Sequence, residues 1–134
     1  MVPFPYRVVL RLLEYSPALR QRYMFRIRIE TTEQFAALPY DLRVDYQPSQ
    51  NVHRFAIRGL GISHQLQSSA QSAAYTHDFA ILSDGNAVIV IERAPQLCTI
   101  HLRLEHGRWI VEGIEPPDVI HVEIEDSIHP HQPL

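Results

Sequence analysis

The stretch FAILSDGNAVIVIERAPQLCTIHLRLEHGRWIVEGIE, residues 79–115, decides the fold class. Within it Cys98, Ile100, Leu102 and Leu104 alternate with Thr99, His101, Arg103 and Glu105. A period of two is the mark of a strand, because successive side chains point to opposite faces. Ser83-Asp84-Gly85-Asn86 and His106-Gly107 separate the apolar runs. Asp-Gly takes left-handed turn positions readily, so each break predicts a hairpin. Ala87 to Ile91, AVIVI, is apolar on both faces and predicts a central strand. Pro116-Pro117 ends the returning strand, and Val119 to Glu125 adds another with Ile120, Val122 and Ile124 on one side. The whole region reads as a meander.

The same periodicity extends toward the amino end. Tyr6 to Tyr15, YRVVLRLLEY, predicts a first strand, and from Arg20 onward Tyr23, Phe25, Ile27, Ile29 and Thr31 share one face. Leu42, Val44 and Tyr46 alternate with Arg43 and Asp45, and Val52 to Leu60 forms a further strand with His53, Phe55 and Ile57 opposite Arg54, Ala56 and Arg58. Two places read differently. TTEQFAALPY, from Thr31, predicts a short helical turn capped by Thr32. Residues 61–77, rich in Ser, Gln and Ala, fit either a weak amphipathic helix or a long binding loop. About eight antiparallel strands with at most two short helices predict a mainly β fold, a two-sheet sandwich or a closed barrel. The alternative is an α+β fold with helices on a curved antiparallel sheet. One domain spans residues 1–126, and 127–134 is a polar, proline-broken tail that frays.

Composition narrows the function classes. The chain is 46% hydrophobic, enough for a core, and its single cysteine, Cys98, excludes both an intrachain disulfide and a zinc site built on several thiolates. Cys98 falls on the apolar face of its strand and serves packing. No window approaches the roughly 18 apolar residues of a membrane helix, and the first residues lack a secretory pattern, so a cytoplasmic location is the default expectation. All twelve basic residues are arginine. Residues 1–58 hold nine of them against five acids and residues 59–134 three against ten, a balance of +4 and −7. Either the halves neutralise each other within the fold, or faces of opposite sign meet a partner or a second copy.

RQRYMFRIRIE, residues 20–30, carries the densest charge. As one strand it places Arg20, Arg22, Met24, Arg26 and Arg28 on a single face, the candidate interaction surface, with side chains about 6.6–6.8 Å apart. Nucleic acid would use such a stripe with exposed aromatics to stack bases. Here Tyr23 and Phe25 share the opposite face and the net charge is −3, which favours a solvated, internally paired or protein-facing stripe.

Of the eight histidines, His101 and His121, with Glu123, form the one constellation that strand alternation sets outward together as an acid-base or divalent-metal patch; ordinary surface histidine is the competing reading. There is no HExxH, no nucleophile elbow and no glycine-rich phosphate loop. No cofactor is expected and no catalytic residue is assigned. Trp109 plugs one end of the fold or stands at the mouth of a cavity. The expectation is a non-catalytic protein-interaction or self-assembly domain using charged sheet faces and residues 61–77. The alternative is a small-molecule-binding barrel with an apolar cavity.

Overall fold

The computed structural model describes residues 5–16, 22–35, 40–62, 71–81, 85–105, 108–117 and 119–125. They form nine strands: β1 (Tyr6–Ser16), β2 (Arg22–Phe35), β3 (Tyr40–Ser49), β4 (Val52–Ile62), β5 (Gln71–Ile81), β6 (Gly85–Arg93), β7 (Gln96–Glu105), β8 (Arg108–Glu115) and β9 (His121–Glu125). Their order across the sheet is β8-β7-β6-β4-β3-β5-β2-β1-β9. No helix occurs among the described residues. Residues 31–35 continue β2 and residues 71–77 open β5, so neither is helical; residues 36–39 and 63–70 lie outside the described residues.

Chain connectivity forces the sheet to curl. β8 and β9 are its two edges, yet only five residues separate Glu115 from His121. That link reaches about 20 Å at full extension, whereas the edges of a flat nine-stranded sheet stand almost 40 Å apart at about 4.8 Å per strand. The result is a nearly closed barrel. It carries a weak line: β3 and β5 are joined by a single parallel bridge, Asp41 to Ala74. One half of the wall is therefore β3-β4-β6-β7-β8 and the other β5-β2-β1-β9, facing each other as the sheets of a sandwich do.

The inward rows fill the barrel. Val8 and Leu10 of β1, Phe25, Ile27 and Ile29 of β2, Phe55 of β4, Ile89 and Ile91 of β6, and Cys98 to Leu104 at alternate positions of β7 are almost fully buried in one apolar cluster. Contacts run across the interior as well as along it. Trp109 of β8 lies 4.7 Å from Phe25 of β2, and His53 of β4 lies 4.8 Å from Phe79 of β5, ring centre to ring centre. Trp109 thus belongs to the packed interior.

Two pairings depart from the meander expected of residues 79–125. β6, β7 and β8 are consecutive antiparallel neighbours as predicted, and β6 is central, flanked by β4 and β7. The Asp84-Gly85 signal, however, does not close a hairpin: β5 pairs with β2 and β3, and β6 with β4 and β7. The inward rows of β5 and β6 are buried across the core from one another, which side-by-side pairing would not allow. Similarly β9 lies parallel to β1 on the far half, because the short β8–β9 link crosses the open seam.

Candidate ligand site at the barrel mouth

Four inward rows end together at one mouth of the barrel. On β2 the row Ile27, Ile29, Thr31 continues to Glu33; on β6 the row Ala87, Ile89, Ile91 continues to Arg93. β1 enters there with Tyr6, opposite Thr31. On β4 a bulge changes the alternation: Arg43 pairs with Gly59 but Val44 with Ile57, so Arg58 is the extra residue. Gly59 accepts the required φ of +145°, which a side chain resists. Beyond the bulge Leu60 stands opposite Leu42, at the rim, and is 44% exposed.

These residues enclose an open recess of about 290 Å³, with Pro5, Tyr6 and Leu60 giving it apolar surface and Glu33 and Arg93 its charges. Hydrogen bonds fix one wall. The Thr31 hydroxyl donates to the Glu33 carbonyl at 2.7 Å and accepts from the Ala73 amide at 3.0 Å, and the Thr32 amide donates to the Pro5 carbonyl at 3.0 Å. The two charges are unspent. Most described arginines bond to another residue, whereas Arg93 makes no hydrogen bond or ion pair among the described residues. Nor does the Glu33 carboxylate. Opposite charges that line one recess without meeting leave room for something between them.

A second polar group sits at the seam beyond the β3–β5 bridge. Tyr46, His53, Tyr75 and His77 face inward there, and the ring centres of Tyr46 and His77 are 4.1 Å apart. Each tyrosine hydroxyl reaches a histidine Nδ1, Tyr46 to His53 at 2.7 Å and Tyr75 to His77 at 3.3 Å. Burial, and for Tyr46 also Tyr75, pushes the phenol pKa values up. Burial, then His77, pushes that of His53 down. At neutral pH Tyr46 is therefore the donor and His53 a neutral acceptor with its proton on Nε2. The side chains of the seam satisfy one another, and it works as a plug where backbone pairing stops.

The stripe predicted from residues 20–30 lies on β2, with Arg20 outside the described residues and Arg22 opposite Ser16 in the β1–β2 register, its side chain likewise outside them. Met24 is half-buried. Arg26 makes a two-pronged pair with Asp78, directly opposite on β5, at 2.7 and 3.0 Å. Arg28 donates to Glu30 at 2.6 Å, and Arg7 binds the other oxygen of the same carboxylate. Burial alone would raise the Glu30 pKa, but Arg28 and Arg7 outweigh it and hold the carboxylate ionised below its usual range. Arg54 to Glu92, like Arg26 to Asp78, joins the basic and acidic halves of the sequence, so part of the charge asymmetry is neutralised across strands.

His101, His121 and Glu123 are dispersed. His101 bonds Glu115 through Nε2 at 2.9 Å on the β7–β8 pair, while His121 and Glu123 lie on β9 beside Arg7 and Val9. Among the described residues no three His, Cys, Asp or Glu side chains gather as a metal site. No described helix is long and apolar enough to cross a membrane. Sequence reasoning missed the recess and the seam. The only available signal was that Glu33 and Arg93 end apolar rows of period two, and that His53 sits in line with Phe55 and Ile57. Compared with family models, characterised proteins and solved structures, the chain matches none. The class is therefore defined by its own geometry, a nearly closed nine-stranded barrel with a charged recess at one mouth.

Proposed function

We propose that the protein is a small-molecule-binding barrel whose ligand sits in the mouth recess. The observation that carries this reading is the pair of unpartnered opposite charges, Glu33 and Arg93, set beside apolar surface in one concavity. Ligand sites combine those features: mostly apolar lining with a few polar groups that fix orientation. About 290 Å³ lies at the lower edge of the roughly 300–1,000 Å³ of such pockets, which suits a metabolite of a few heavy atoms. Binding without turnover is favoured by the state of the reactive groups. Cys98 is buried and its thiol pKa is pushed up to about 11, and the seam tyrosines are held protonated. The test is a thermal-shift screen of small polar metabolites, followed by amide NMR. A true ligand at 100 times its Kd stabilises the fold by about 2.7 kcal/mol and moves the amides of Gly59 and Leu60. A panel that stabilises nothing and leaves those amides still refutes the reading.

A second reading, docking of a protein or a second copy on the face of Arg20, Arg22, Met24, Arg26 and Arg28, is favoured by the exposure of Arg28. Its test is the solution mass at low and at roughly 0.5 M salt, where charge contacts are screened within a few ångströms. An assembly that separates with salt, and fails to form in Arg28→Glu, supports it; a monomer at both salts sinks it.

A further inference from the structure

Resting on the ligand site proposed above, we infer that the recess recognises a zwitterion with a short apolar body, the chemistry of a free aliphatic α-amino acid. The inference comes from the charges themselves. A site for a simple carboxylate needs a cation and is weakened by a neighbouring anion; a site for an amine needs the reverse. This recess presents both signs, and Glu33 and Arg93 do not quench each other, since no ion pair within 4.0 Å joins them. A ligand with one positive and one negative group satisfies both walls at once and leaves neither charge facing an apolar molecule.

Each wall is suited to its half. The Arg93 guanidinium offers a planar fork of donors that matches a carboxylate in two-pronged fashion. The Glu33 carboxylate accepts from an ammonium, and its backbone is held by Thr31, which limits how far it can swing away. Leu60, unusually exposed for a leucine, and the buried Tyr6 supply the surface for an aliphatic side chain. Leu60 projects there because the Gly59 bulge turns it toward Leu42. A longer or doubly charged ligand would exceed both the volume and the charge balance.

The experiment titrates the whole chain with L-leucine, with 4-methylpentanoate, which lacks the ammonium, and with isopentylamine, which lacks the carboxylate. The readout is the amide shifts of Glu33, Gly59 and Leu60. The expected result is saturable binding of leucine with a Kd below about 1 mM and at least tenfold weaker binding of the other two. Arg93→Gln and Glu33→Gln each weaken leucine at least about tenfold, the lower end of a lost charge-assisted bond, without changing Tm, because both side chains are exposed. If 4-methylpentanoate or isopentylamine binds as tightly as leucine, or Glu33→Gln leaves leucine affinity unchanged, the zwitterion inference falls while a small-molecule site stands. If all three leave those amides still, the inference falls; if the wider metabolite panel is also silent, the site falls with it.

Discussion

Removing the Tyr46 hydroxyl tests whether the seam side chains take over the work of missing backbone bonds. β3 and β5 share one bridge, and beyond it the wall is held by Tyr46, His53, Tyr75 and His77. In Tyr46→Phe the ring stays, stacked 6.0 Å from His53 and 4.1 Å from His77, but the 2.7 Å bond to Nδ1 is lost. His53 is only 9% exposed, so its acceptor is left largely without water. An unsatisfied buried polar group costs about 1–3 kcal/mol, which lowers Tm by about 3–5 °C per kcal/mol in a chain of this length. Replacing both partners by phenylalanine removes donor and acceptor together, so Tyr46→Phe with His53→Phe loses less than the two single changes summed. The cycle should give a coupling of about 1 kcal/mol or more.

The assay is urea unfolding of the four proteins at pH 7.5, with equal m-values showing that the unfolded states are comparable. A pH series adds an independent arm. The folded-state pKa of His53 is depressed, by burial first and His77 second, so as pH falls the unfolded chain binds the proton before the folded one does. Its contribution is present above the unfolded value near 6.5 and lost as pH falls through the folded value. His53→Phe should therefore flatten the loss of stability on acidification below about pH 6.5. Additive energies in the cycle, or an unchanged pH slope in His53→Phe, would refute the account of the seam.

Two further outcomes follow from the interior. The Trp109 ring packs on Phe25, but its Nε1 is buried with no hydrogen-bond partner. Trp109→Phe keeps an aromatic ring there and removes a donor whose burial costs about 1–3 kcal/mol, so it should cost less than about 1 kcal/mol in thermal unfolding, against about 3–5 for Trp109→Ala; equal losses would overturn this. Cys98, with a pKa of about 11 and no exposed surface, should resist a thiol reagent at pH 8 until the protein unfolds. Labelling at the rate of a free thiol under native conditions would show the β7 interior to be open.

Strand content, the inward face of each strand and much of the core were legible along the chain, because alternation is a local property. Cys98, Ile100, Leu102 and Leu104 point inward on β7 as their spacing requires, and Phe25, Ile27 and Ile29 do so on β2. Turn chemistry was legible too, but not what it connects: Asp84-Gly85 marks a reversal, while β5 and β6 find partners on opposite halves of the wall. Pairing depends on which apolar rows can cover each other, and that is a property of the whole chain. The site belongs wholly to this second level. Glu33 and Arg93 are sixty positions apart and each looked like the polar end of its own strand. Curling of the sheet, imposed by the short link from β8 to β9, brings the ends of β2, β4 and β6 to one mouth and sets those two charges around the same recess.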